Sequence, residues 1–352
     1  MGAVSRVKLD RVLIVMMSAI GDAVHTLPVV TALKRFNPAM RLDWVLQPGP
    51  AELIRGHPSV DEILIFRRKP ALRAFWELRK QLAGRRYDCV LNLQVYLKGG
   101  LVSTLVRSPV KLGFDRSRAR DLNWMFTSHR IPKHAWQHVQ DQYLEFLEWL
   151  RVPAEPLVWN LGPWEHERAA QRAFFAKLDR PAAAIVVATS KPGKDWFADR
   201  WADVCNHLYG DFGLQPVLVG GRSPRELEAE RHVLANAKVP VISALGSGLR
   251  NLVGILDGSA LALSPDTGPL HMSVAIDRPV VSLMGVTNPK RVGPYRRFRD
   301  LMIDKYGDPG EDYPINMEFR KGRMESITVD DVMRVVSMWS ASYRLSHPPR
   351  LM

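Results

Sequence analysis

Residues 12–17, 42–46, 62–66 and 89–93 read as short strands, and 183–188, 216–219, 260–263 and 280–284 repeat the scheme further along the chain. The run from Val12 to Met17 carries no polar residue, as a strand covered on both faces requires. Helical spacing falls between and after these runs, at 27–36, 71–82, 97–106 and 137–150, then at 198–209, 224–235, from Leu249, and at 329–339. No other feature constrains the fold as much. Strands separated by helices pair in parallel, and the helices cover the sheet faces. Shorter strands are expected at 110–113 and 239–242. The 352 residues exceed one ordinary domain, and Pro153, Pro156 and Pro163 punctuate the chain near its middle. The expected class is α/β: two Rossmann-like parallel-sheet domains, residues 1–160 and 161–325, facing a central cleft.

Open parallel sheets bind ligands beyond the carboxyl ends of their strands. The segment 18–22 follows the first strand and is not GxGxxG, so a dehydrogenase loses support. Asp22 is either a helix N-cap, worth about 1 kcal/mol, or a carboxylate placed to take a proton from a sugar hydroxyl. His25 tunes it or is simply packed. Thr189, Ser190 and Lys194 follow the first strand of the second half, with Trp196 just after. Two hydroxyls and an ammonium suit a diphosphate, whose growing charge a lysine neutralises as its bond breaks. A polar loop with a surface lysine is the plain alternative. Gly220-Gly221 ends another strand, as a loop passing close to a nucleotide would. The segment 264–276 joins a strand to a helix. There Asp266 and Thr267 are capping residues, Gly268 allows close approach of a ligand, and Pro269 suits a first helical turn. With His271 beside it, such a turn seats a phosphate; alone, it would be an ordinary capped helix start.

The formal net charge of +13 favours an anionic partner. No zinc spacing, RRM signature or basic zipper is present, so nucleic acid is not the expected partner. Arg116, Arg118, Arg120, Arg130 and Lys133 gather with Trp124 and Phe126 in a loosely patterned segment, 111–133. Each tryptophan is either core or a sugar-stacking platform. Cys89 and Cys205 lack motif spacing, which suggests buried thiols, a reducing compartment and no structural metal site. No apolar run approaches the ~18 residues of a membrane span. Arg6, Lys8 and Arg11 precede an apolar run, as in a short signal peptide. Asp10 among them, and the lack of a clean small-x-small site, favour a buried first strand. Gly2 is followed by Arg6, which departs from the myristoylation pattern.

Ser18-Ala19-Ile20-Gly21-Asp22, then His25-Thr26-Leu27-Pro28, resembles the start of the ADP-heptose:lipopolysaccharide heptosyltransferases, glycosyltransferase family 9. Lys194-Asp195-Trp196 is similar to the family's Lys-x-Trp segment, Asp266-Thr267-Gly268 with His271 to its DTGxxH motif, and residues 283–289 to its LxGxTxP segment. The resemblance runs through residues 11–340. It implies the GT-B fold, with a closing segment, 326–352, whose helix crosses back to the N-terminal domain. It also implies inverting transfer of heptose from ADP-heptose to the inner core of lipopolysaccharide, with no cofactor and no bound metal. Asp22 aligns with the catalytic base. Thr189, Ser190, Lys194, Asp266, Thr267, Gly268 and His271 align with donor-binding positions. Gln94, Lys98 and Arg120 resemble positions near the acceptor, a lipid-linked anionic glycan. The partners implied are the nucleotide sugar, that acceptor and the cytoplasmic face of an inner membrane, which the basic surface would meet. Ala19 departs from the family's usual hydroxyl residue. Glu226 and Glu228 are both candidates for the acidic residue that holds the donor ribose. A nucleotide-sugar epimerase of similar fold and a non-catalytic basic protein binding RNA or membrane are the competing readings.

Overall fold

The computed structural model describes residues 7–350. It divides after Asn160 into two compact units, Met1–Asn160 and Leu161–Met352. The first unit holds strands β1 Arg11–Val15, β2 Arg41–Leu46, β3 Glu62–Ile65, β4 Cys89–Asn92, β5 Val110–Gly113 and β6 His129–Arg130. Its helices are α1 Ile20–Phe36, α2 Pro48–Ile54, α3 Ala71–Leu82, α4 Leu97–Thr104 and α5 Val139–Leu150. The strands are all parallel, in the order β3-β2-β1-β4-β5-β6.

The second unit holds β7 Ala182–Val186, β8 Gln215–Val219, β9 Ile242–Ser243, β10 Leu261–Pro265, β11 Val280–Met284 and β12 Met302–Asp304. Its helices are α6 Arg168–Phe175, α7 Ala198–Gly210, α8 Pro224–Asn236, α9 Leu249–Gly258, α10 Gly268–Ala275, α11 Pro289–Val292 and α12 Val329–Ser342. Its parallel order, β12-β11-β10-β7-β8-β9, is the first order again. The central strands of both sheets are buried along nearly their whole length, which is why they read as largely apolar runs, with Asn92 and Ser264 the buried polar residues at their ends. Two Rossmann-like parallel sheets are what the expected GT-B fold requires.

The alternation predicted from sequence is present. α2, α6, α11, β6 and β12 were not foreseen: each spans only two to eight residues. α1 begins well before residue 27, because Pro28 lies inside the helix rather than near its start. β1 is a sheet-centre strand, and Gly2 and Arg6, on which part of the N-terminal reading turned, lie outside the described residues. α12 packs on α7, β11 and β12 of the second unit. Both cysteines are free and buried, and burial pushes each thiol up to about 12. No described helix is long and apolar enough to cross a membrane.

Strand order reverses between β1 and β4 in the first unit and between β7 and β10 in the second. Loops leaving such a pair diverge to opposite faces and open a crevice at the carboxyl edge. Asp22, Gln94, Lys98, Thr189, Ser190, Lys194 and Asp266 follow those strands, whereas Arg120 follows β5 and Glu226 and Glu228 lie on α8.

Candidate active site

In the first unit the turn after β1 carries Asp22. Asp22 is not the N-cap of α1. Ala19 holds that place, and Asp22, three residues on, reaches back so that its Oδ2 accepts from the Ala19 N–H at 2.7 Å. This is the carboxylate half of a capping box. The second oxygen, Oδ1, lies 3.3 Å from the Tyr143 hydroxyl of α5, which donates to it. The Thr26 hydroxyl donates to the Asp22 carbonyl at 2.8 Å. The carboxylate is thus oriented from two sides while its residue stays half-buried. His25 is buried against Gln140, whose amide donates to the His25 carbonyl at 2.8 Å, so it is a packed helix residue.

Gln94, after β4, braces the same turn. Its amide nitrogen donates to the Ser18 carbonyl at 3.1 Å, and its Oε1 accepts from Met17 N–H at 3.4 Å. Asn123 joins in: its Oδ1 accepts from the buried Asn92 amide at 3.0 Å, and its own amide donates to the Gln94 carbonyl. The Arg120 N–H donates to the Val95 carbonyl at 2.7 Å, which sets the exposed Arg120 beside the β4 loop. Lys98, at the start of α4, is half-buried; burial, with Arg68 nearby, lowers its ammonium from the ordinary value. Gln94, Lys98 and Arg120 therefore share one loop cluster, with Gln94 acting as a brace. Arg118 is different. It is buried in a two-oxygen contact with Glu145 and paired with Asp115, so it anchors the loop rather than facing a ligand.

In the second unit three separated motifs converge on one carboxylate. Asp266, at the end of β10, is buried. Its Oδ2 accepts from Lys194 Nζ and from the Thr287 hydroxyl, and His271 Nε2 lies 3.5 Å from Oδ1. Burial works to raise this carboxyl, but the His271 hydrogen bond and the Lys194 charge outweigh it and hold the group well below the usual carboxylate range. Asp266 is therefore not a helix cap. Thr267 occupies the cap position of α10 without a side-chain capping bond, and Gly268-Pro269 form the first turn, as the sequence suggested. The hydroxyl of Thr267 is left at a helix start whose N–H groups face the carboxyl edge.

The loop after β7 is held by its own network. The buried Thr189 donates its N–H to Asp195 Oδ1 at 2.6 Å and its hydroxyl to the Lys191 carbonyl at 2.7 Å. Arg225 of α8 donates to the Thr189 carbonyl at 2.7 Å and pairs with Asp195. Burial raises the Asp195 carboxyl, against the Thr189 N–H and the Arg225 charge. Thr189 thus shapes the loop, and Ser190 is exposed on it together with residues 191–193. Glu226 is likewise committed: its carboxylate accepts from Gly221 N–H at 2.6 Å and Ser223 N–H at 2.8 Å. Glu228 is exposed on α8. Sequence reasoning missed Tyr143, Asn123 and Arg225, which reach the site from remote helices or turns. Thr287 lay within a quoted motif without being assigned to the site.

Among the described residues no group of three or more His, Cys, Asp or Glu side chains is placed to hold a metal ion. The family model described as glycosyltransferase family 9 (heptosyltransferase) matches residues 75–307. The chain belongs to this family. It is a glycosyltransferase. It is 26% identical over 329 residues to the lipopolysaccharide core heptosyltransferase OpsX of Haemophilus influenzae, covering 91% of this chain and 94% of that one. It is 28% identical to lipopolysaccharide heptosyltransferase 1 of Escherichia coli K12, covering 81% and 91%. In fold it is similar to E. coli heptosyltransferase WaaC with ADP-2-deoxy-2-fluoro heptose, at a TM-score of 0.71 and 23% identity, covering 93% and 99%. These relatives favour neither the epimerase nor the non-catalytic reading.

Proposed function

We propose that this family 9 enzyme moves heptose from ADP-heptose to the inner core of lipopolysaccharide, with inversion at the anomeric carbon. Asp22 takes the proton of the acceptor hydroxyl. The hydroxyl oxygen forms the new bond to the anomeric carbon, the bond from that carbon to the diphosphate oxygen breaks, and ADP departs with the electron pair. Lys194 and the Thr267/Gly268 helix start meet the charge that grows on the diphosphate. No resident metal is needed in this scheme, because a cation and a helix terminus already stand at the switch point. Asp266 holds Lys194, Thr287 and His271 in register. Gln94, Lys98 and Arg120 lie on the acceptor side, where cations suit an anionic lipid-linked glycan. We place the enzyme peripherally on the cytoplasmic face of the inner membrane.

The observation that carries this reading is the convergence of Lys194, Thr287 and His271 on Asp266 beside the α10 start. Transfer assays with ADP-heptose and a heptose-deficient lipopolysaccharide test it. ADP release that requires the acceptor, with a product of opposite anomeric configuration, is expected. Turnover of donor alone to an isomeric nucleotide sugar would reject it.

A further inference from the structure

Helix α3 has one face too few inside the protein. Ala74, Leu78 and Leu82 point into the core, and Phe75 packs on Phe66 with ring centroids 5.2 Å apart. Four residues apart on its first two turns, Leu72 is 89% exposed and Trp76 56% exposed. Isolated exposed apolar residues are ordinary, but these have company. Among the described residues of the first unit, every exposed large apolar side chain except Val158 lies on α3, at the start of α4 (Tyr96, Leu97), or on the turn at Leu122 and Met125. Those three segments follow β3, β4 and β5, so they line the carboxyl edge of one sheet.

The edge and the helix that leaves it are basic. Arg67, Arg68 and Lys69 are exposed just before α3, and Arg79 and Lys80 are exposed in its last turn. The carboxylate on this stretch, Glu77, is paired with Arg73 at 2.7 Å. Lys80 Nζ lies 3.4 Å from the Trp76 ring centroid, a pairing that keeps the indole flanked by charge. A tryptophan and a leucine bordered by lysine and arginine match the headgroup region of an anionic bilayer. There the indole sits at the boundary and long cationic stems reach outward to phosphate. A soluble polyanion would use the cations and leave Leu72 and Trp76 in water.

We infer that this apolar-and-basic rim of the first domain rests on an anionic phospholipid surface, with Leu72 and Trp76 inserted. The exposed Tyr96 and Leu97 of this rim adjoin Lys98 at the start of α4, which sets the acceptor-side loops next to the lipid. A lipid-linked acceptor then reaches Asp22 without leaving the bilayer. The inference rests on the proposed lipid-linked acceptor only in this last step.

The test is sedimentation of the full-length protein with vesicles of neutral lipid, or of neutral lipid with about a third anionic phospholipid. Binding to the mixed vesicles only is expected. The Leu72→Ser/Trp76→Ser double variant should bind at least about tenfold more weakly, and Arg79→Gln and Lys80→Gln about fivefold more weakly each. On a deacylated, water-soluble acceptor the double variant should keep the parent rate. Unchanged vesicle binding in the double variant overturns the proposal, as does parent protein that binds heparin but no vesicle. Trp76-dependent vesicle binding in a protein that transfers no sugar would uphold the docking face and count against the transferase reading alone.

Discussion

Replacing Asp266 with Asn removes one charge and almost no volume, so its cost comes mainly from the partners it leaves. Lys194 and His271 are both largely buried beside it, with side chains 13% and 7% exposed. Screening by water is slight there, and removing one member of a buried pair costs about 3–5 kcal/mol. The asparagine oxygen still accepts from Lys194 or Thr287, so the lower figure, about 3 kcal/mol, is expected. For a unit of this size each kcal/mol moves Tm by about 2–4 °C, which predicts a fall of roughly 6–12 °C at neutral pH. The pH dependence follows from the sign of the shift. The folded-state carboxyl is depressed, so its contribution is complete above the unfolded value near 3.9 and fades as pH falls below it toward the folded value. The gap between parent and variant should therefore narrow below about pH 4, by up to about 1.4 kcal/mol per pH unit. ADP should raise Tm more in the variant than in the parent, because a diphosphate replaces the missing negative charge beside Lys194. Thermal melts from pH 3 to 8, with and without ADP, read all three effects. A variant melting within about 2 °C of the parent at pH 7 would refute the reasoning.

Asp22→Asn should keep ADP-heptose binding and lose at least ~100-fold in turnover, as removal of a general base does; near-parent turnover would reject Asp22 as the base. Arg118→Met should destabilise the first domain by about 3 kcal/mol or more, since Asp115 and Glu145 lose their buried cation; denaturant melts check this. Gly100→Ala would set its new carbon 2.5 Å from Asn123 Oδ1 and 2.7 Å from a Phe126 ring carbon. About 1–3 kcal/mol of destabilisation is expected, with acceptor KM rising because Asn123 shifts.

Legibility in the sequence followed burial and distance along the chain. Sheet-centre strands declared themselves because both faces are covered, and α3 because its core residues recur at helical intervals. Edge strands such as β6 and β12, of two and three residues, carry too few positions for any period to show. Asp22, Lys194 and Asp266 were found because strand ends are where parallel sheets bind ligands. What each of them touches was not. Tyr143 reaches Asp22 from 121 residues away and Arg225 reaches the Thr189 loop from 36, and no local spacing encodes such meetings. Asp22 does cap α1, but from the third helical position onto Ala19 rather than as the N-cap. For Asp266 local chemistry offers a helix cap, while the tertiary fold offers a buried cation.

Gln94 gives the first domain a mechanical property. One amide is shared between the turn that ends at Asp22 and the loop that leads to Lys98, so neither segment can move far without dragging the other. In the proposed transfer, whatever settles on the Gln94–Lys98 loop would also set the position of Asp22, and a badly seated acceptor would tilt the carboxylate away from its hydroxyl. Selectivity for the acceptor can then be exercised through alignment at the moment of proton removal, beyond what tightness of binding alone would provide.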